Sequence, residues 1–126
     1  MTEVSFLAPG ERPEMDARQI EILCADLGSR AAEDVICRTM EDLGMRLCRI
    51  QKHDPRRPSE ERHKDLRALA AVAGQIGLTG LACVARDVMN CIEYGDTVAE
   101  AATTARLGRV GEQALSTLWD LQDLSV

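Results

Sequence analysis

The side chains in this sequence whose types and spacing could do chemistry are few, and the most telling lie between Ser59 and Leu81. His63, Arg67, Ala71 and Gly74 recur at four- and three-residue steps, which at about 100° per residue places them in one narrow arc of a helix. An imidazole, a guanidinium and two very small residues on one face admit two kinds of chemistry. His63 could accept a phosphoryl group, with Arg67 one turn on steadying the product through charge-assisted hydrogen bonds. Alternatively the face, widened by Ala70, is a docking surface on which Arg67 meets a partner carboxylate and the small residues let the partner come close. Plainer readings stand beside both. His63 is then a solvated residue of a charged first turn, Arg67 a surface cation, and Ala70, Ala71 and Gly74 close helix packing.

Nothing else in the chain assembles into a catalytic or metal-binding pattern. The five cysteines, Cys24, Cys37, Cys48, Cys83 and Cys91, form no CxxC pair and no spacing with His53 or His63 that would suit zinc. Their odd number and scattered helical positions suggest reduced thiols packed into the core as small hydrophobes. Two histidines in one short segment give no Ser/His/Asp or Cys/His arrangement. The carboxylate pairs Glu41/Asp42 and Asp120/Asp123 sit in charged stretches and read as solvent-facing. No catalytic site, no cofactor and no metal is expected, so the chain is not read as an enzyme.

These residues need a scaffold, and the pattern supplies helices. Leu66, Leu69, Ala73 and Ile76 form the apolar stripe of a helix running from Ser59, as its cap, to near Gly77. Ahead of it, Asp16 is a good N-cap for a short helix to Leu27, carrying Ile20, Leu23, Cys24 and Leu27 and stopped by Gly28. Ser29 can cap a longer one ending near Lys52, with Val35, Ile36, Thr39, Met40, Leu43, Leu47 and Ile50 in period. Gly44 within it costs about 1 kcal/mol relative to Ala, or marks a close packing point. His53 to Ser59, with Pro55 and Pro58, is a break.

Thr79 opens a fourth helix to about Tyr94, through Leu81, Val84, Ala85, Val88, Met89 and Ile92. Gly95-Asp96 is a turn, and Thr97-Val98-Ala99-Glu100 has capping-box spacing. The last helix then reaches about Leu124 through Ala101, Ala105, Val110, Leu115, Leu118 and Leu121, with Gly108 and Gly111 allowing a kink. Residues 1–14 read as a flexible arm whose Phe6 and Leu7 could fold back onto the domain formed by 15–126.

Composition agrees with this class. One domain is the simplest organisation for 126 residues, and one Phe, one Tyr and one Trp leave a core of aliphatic side chains and Met. Strand-type runs are missing, so the fold class is all-α, an up-and-down four-helix bundle with a short lead helix. The net charge of −6 disfavours nucleic acid. Arg56, Arg57, Arg62 and Lys64 interleave with Asp54, Glu60, Glu61 and Asp65 as a solvated segment of mixed charge. With no signal-peptide h-region and no long apolar run, a cytoplasmic location and no membrane partner are expected.

With its helix order in hand, the chain resembles the histidine-phosphotransfer (HPt) domains of bacterial phosphorelays over roughly residues 16–122. That family has a short lead helix, a four-helix bundle, and a phosphoacceptor His followed by Leu-Lys-Gly-Ser-Ala and then Leu-Gly-Ala. Arg67-Ala68-Leu69-Ala70-Ala71-Val72-Ala73-Gly74-Gln75-Ile76-Gly77-Leu78 lies over this motif without a gap, and Leu81 to Asp96 is similar to the next helix and its Gly-Asp turn. The chemistry is altered, however. Arg67 stands at the phosphoacceptor position, Ala70 at that of the motif Lys and Ala71 at that of its Gly. A guanidinium is always protonated and cannot act as the nucleophile.

The resemblance therefore implies a two-component signalling protein of the pseudo-HPt type. It would dock response-regulator receiver domains or histidine kinases through His63, Arg67, Ala70, Ala71 and Gly74 without carrying phosphate. The alternatives are an active phosphotransfer protein using His63 as acceptor, and a helical scaffold or dimerisation unit outside phosphorelays. A monomer and a homodimer both fit the sequence.

Overall fold

The computed structural model describes residues 15–52, 54 and 56–124, with side chains described as far as residue 121. The arm at 1–14, with Phe6 and Leu7, lies outside the described residues, as does His53. Five helices follow one another: α1 (Ala17–Leu27), α2 (Ser29–Gln51), α3 (Ser59–Gln75), α4 (Thr79–Tyr94) and α5 (Thr97–Leu124). No helix is long and apolar enough to cross a membrane among the described residues.

The helices α2, α3, α4 and α5 close a ring, each packed against the next and α5 back against α2, while α1 lies on α2. This helical bundle has one core, built of Leu, Ile, Val and Ala from all four ring helices. Leu43, Leu66, Leu69, Leu78, Leu81, Leu107 and Leu118 are fully enclosed. Each such side chain contributes roughly 1.5–3 kcal/mol through its removal from water.

The connections are made by backbone geometry more than by side-chain caps. Gly77 and Gly95 both take positive φ, 88° and 70°. At the first, Leu78 N–H bonds Ala73 C=O and Gly77 N–H bonds Gly74 C=O. At the second, Asp96 N–H bonds Cys91 C=O and Gly95 N–H bonds Ile92 C=O. Both are Schellman terminations. Gly77 also receives the lead helix: Asp16 N–H donates to its carbonyl at 2.7 Å, and a Cβ on Gly77 would collide with the Asp16 carbonyl oxygen.

Asp16 caps α1 as expected, accepting from Arg18 N–H at 3.1 Å. Three other caps differ from the sequence reading. Ser29 and Ser59 are the first residues of their helices and make no side-chain cap; Gly28 and Pro58 precede them. Thr97 is likewise already helical, and Asp96 is the cap, its Oδ1 accepting from Ala99 N–H at 3.0 Å. That one-residue shift moves Glu100 out of capping-box register and frees it for another partner.

The last helix, α5, is continuous from Thr97 to Leu124 through both of its glycines. Gly108 and Gly111 face α2, where an added Cβ would press on the Gln51 amide and, more severely, on the Leu47 side chain. They are close-approach positions. By contrast Ala101 and Ala105, expected in the core, are exposed, because α5 turns Leu107, Val110, Ala114 and Leu118 inward.

Candidate functional site

The α3 helix positions the candidate site because its two faces are so unlike. Leu66, Leu69 and Ala73 are buried, followed by Ile76 beyond the helix end. Rotated away from them, Arg67, Ala71 and Gly74 are exposed and His63 is half-buried. A Cβ added to Gly74 would meet nothing within 4 Å, so the strip beside Arg67 is open. Ala70 is a correction: it is only 5% exposed and belongs to the core. At about 100° per residue it falls between His63 and Leu66, and the bundle covers that edge.

Towards the start of α3 the strip widens into a hollow lined by Ser59, Glu60, His63, Lys64, Arg67 and, from the end of α4, Glu93. Neither His63 nor Arg67 makes an ion pair or side-chain hydrogen bond with a described residue. Most arginines here are engaged: Arg46 with Asp42 at 2.9 Å, Arg57 with Glu61 at 3.0 Å, Arg62 with Glu100 at 3.2 Å. Arg67 is a cation left facing solvent beside two small residues. An apolar groove of about 240 Å³, containing Ile22, Val35, Val72 and Ile76, lies on the α1–α2 side of α3, away from the Arg67 edge.

The back of α3 holds what the sequence reading missed. Arg62 and Asp65, assigned there to a solvated segment, are buried at 9% and 7% exposure. Arg62 donates from Nη1 to the Ile50 carbonyl at 2.8 Å, from Nη2 to Thr104 Oγ1 at 2.9 Å and from Nε to Glu100 Oε2 at 3.2 Å. Asp65 accepts Arg49 at 3.0 Å, with Arg57 at 3.9 Å. The hydrogen bond that Arg57 donates to Glu61, reinforced by the carboxylate's charge, raises the Arg57 pKa above its ordinary value. The signal was periodicity: Arg62 precedes Leu66 by four and Leu69 by seven, so it continues the apolar stripe.

This network fixes which way α3 is turned. Ile50 is in the last turn of α2, where carbonyls lack helical partners, and a guanidinium suits both the orphan acceptor and the helix dipole. Gln51 adds a second tie from α2 to α5, donating to the Thr104 carbonyl at 3.0 Å. With Arg62 and Asp65 held inward, His63 and Arg67 must face out.

The cysteines also depart from expectation. Cys24, Cys37, Cys48 and Cys83 are exposed, Cys91 is half-buried, and none forms a disulfide. Of the carboxylate pairs, Glu41 and Asp120 are exposed, while Asp42 is engaged by Arg46, one turn on. Among the described residues no group of three His, Cys, Asp or Glu side chains converges so as to hold a metal ion.

No family model, no curated protein and no solved structure matches this chain.

Proposed function

We propose that this chain is a docking module of the pseudo-HPt type, which binds receiver domains of response regulators, or the kinases that charge them, through the exposed edge of α3. The observation that carries this reading is the Arg67 guanidinium, unpaired among the described residues, beside Ala71 and Gly74 on a strip that no other described residue covers. A guanidinium recognises carboxylates through paired hydrogen bonds, and receiver-domain active sites present carboxylates. Small residues next to it let the partner backbone approach. The succession of a short lead helix and four longer ones fits the resemblance, although such bundles serve many functions.

The surroundings of His63 do not single out phosphate carriage: Glu60 and Glu93, which would repel a phosphoryl dianion on the imidazole, share the hollow with the cations Lys64 and Arg67. Docking needs only Arg67 and the strip.

The test is affinity capture from the source organism's lysate with the wild type and Arg67→Glu as parallel baits. Recovery of a receiver-domain protein or histidine kinase by the wild type alone supports the reading. Equal recovery by both baits, or recovery of neither class, removes it. A phosphohistidine that disappears in His63→Gln would replace it with active phosphotransfer.

A further inference from the structure

The outer face of α2 carries two exposed thiols whose spacing suits a two-fold partner. Cys37 and Cys48 are eleven residues apart, which at about 100° per residue is within about 20° of three full turns. Both therefore lie on one stripe, about 16 Å apart along the helix, and both are exposed. If a second α2 lies antiparallel across this stripe, with the two-fold axis between Asp42 and Leu43, Cys37 of each copy stands opposite Cys48 of the other.

Two further features fit that axis and find no counterpart among the described residues. Gly44, under two residues from the midpoint, falls on the same stripe, and a Cβ there would meet nothing within 4 Å. A glycine in a helix interior costs about 1 kcal/mol relative to Ala, and Gly108 and Gly111 have neighbours that require it whereas Gly44 has none. A bridge between helices needs Cα atoms roughly 5.5–6 Å apart, which sets the two axes at about the ordinary packing distance of 10 Å, and the missing side chain at Gly44 keeps the middle of that contact clear. The charges at the two ends of the stripe also match, while Glu41 lies near the axis and is left to turn aside towards solvent. Asp34 and Lys52 are exposed, lie on the same side of the stripe, and flank the axis by about the same distance, so each Asp34 meets Lys52 of the other copy. Neither makes an ion pair with a described residue.

We propose that a second copy of this chain docks on α2, and that a hydroperoxide locks the pair through two Cys37–Cys48 disulfides. For each bridge, one thiolate attacks the peroxide, the O–O bond breaks, and a sulfenic acid and water or alcohol result. The opposite thiolate then displaces hydroxide from the sulfenic sulfur, which leaves as water when protonated. One S–S bond forms, two thiols are oxidised by two electrons, and one peroxide is consumed. The proposal does not depend on the α3 docking reading and leaves that edge uncovered.

The test starts from a protein with Cys24, Cys83 and Cys91 replaced by Ser, whose helicity and melting are first matched to wild type. From it come Cys37→Ser and Cys48→Ser variants, each with one thiol. Hydrogen peroxide is added and products are separated by non-reducing electrophoresis and identified by mass spectrometry. The two-thiol protein is expected to give a covalent dimer linked 37 to 48. The single-thiol proteins mixed together are expected to give at least ten times more dimer than either alone. Equal dimer from each variant alone, which random surface oxidation would produce, overturns the proposal, as does absence of dimer from the two-thiol protein.

Discussion

The Arg62 guanidinium reaches the carbonyl oxygen of Ile50 at 2.8 Å, tying the first turns of α3 to the last turn of α2. Five residues further along the same helix Arg67 has no partner among the described residues. One helix thus carries two arginines with opposite tasks, one holding the bundle and one left available.

These two residues separate in a stability measurement. Arg62→Ala leaves the Ile50 carbonyl, Thr104 and Glu100 without their donor, and is expected to cost about 2–4 kcal/mol, since breaking a buried charged network strands its partners. Arg67→Ala is expected to stay within about 0.5 kcal/mol of wild type. Urea denaturation of both variants checks the contrast, and comparable losses would place Arg67 inside the structural network.

Glycine substitutions should diverge in sign. Gly111→Ala drives a methyl group into Leu47 and is expected to destabilise by about 1–3 kcal/mol through overpacking. Gly74→Ala and Gly44→Ala meet open space and are expected to stabilise by roughly 0.5–1 kcal/mol. Thermal melts read both. If Gly74→Ala also weakens partner binding, stability has been given up there for access.

The true helix caps can be told from the apparent ones. Asp96→Ala removes the acceptor of Ala99 N–H and is expected to cost about 1 kcal/mol. Ser29→Ala and Ser59→Ala remove no cap bond and should change stability by less than about 0.5 kcal/mol. A loss at Ser59 equal to that at Asp96 would contradict the assignment.

Much of the architecture was legible because apolar periodicity is a direct imprint of burial. Leu66, Leu69, Ala73 and Ile76 lie where their spacing put them, and every helix runs close to its expected bounds. What escaped was residue type misleading about position. Arg62 and Asp65 sit in the core arc, but charge suggested solvent; carbonyl, hydroxyl and carboxylate partners from α2 and α5 offset the burial of Arg62, and the Arg49 guanidinium offsets that of Asp65. Cys37 and Cys48 erred in the other direction: thiols suggest the core, yet they share the arc of Asp34 and Glu41, which faces outward. The strip at Arg67, Ala71 and Gly74 was legible as a face. That no other described residue covers it required the three-dimensional structure.

The account rests on the α3 edge as a docking surface, and the most direct measurement is calorimetric titration of wild type and Arg67→Glu with purified receiver domains from the source organism. The account predicts that at least one domain binds wild type, and that charge reversal weakens it at least tenfold, about 1.4 kcal/mol, with the melting of the free variant unchanged. Binding of equal strength to both proteins, or to neither, would contradict it.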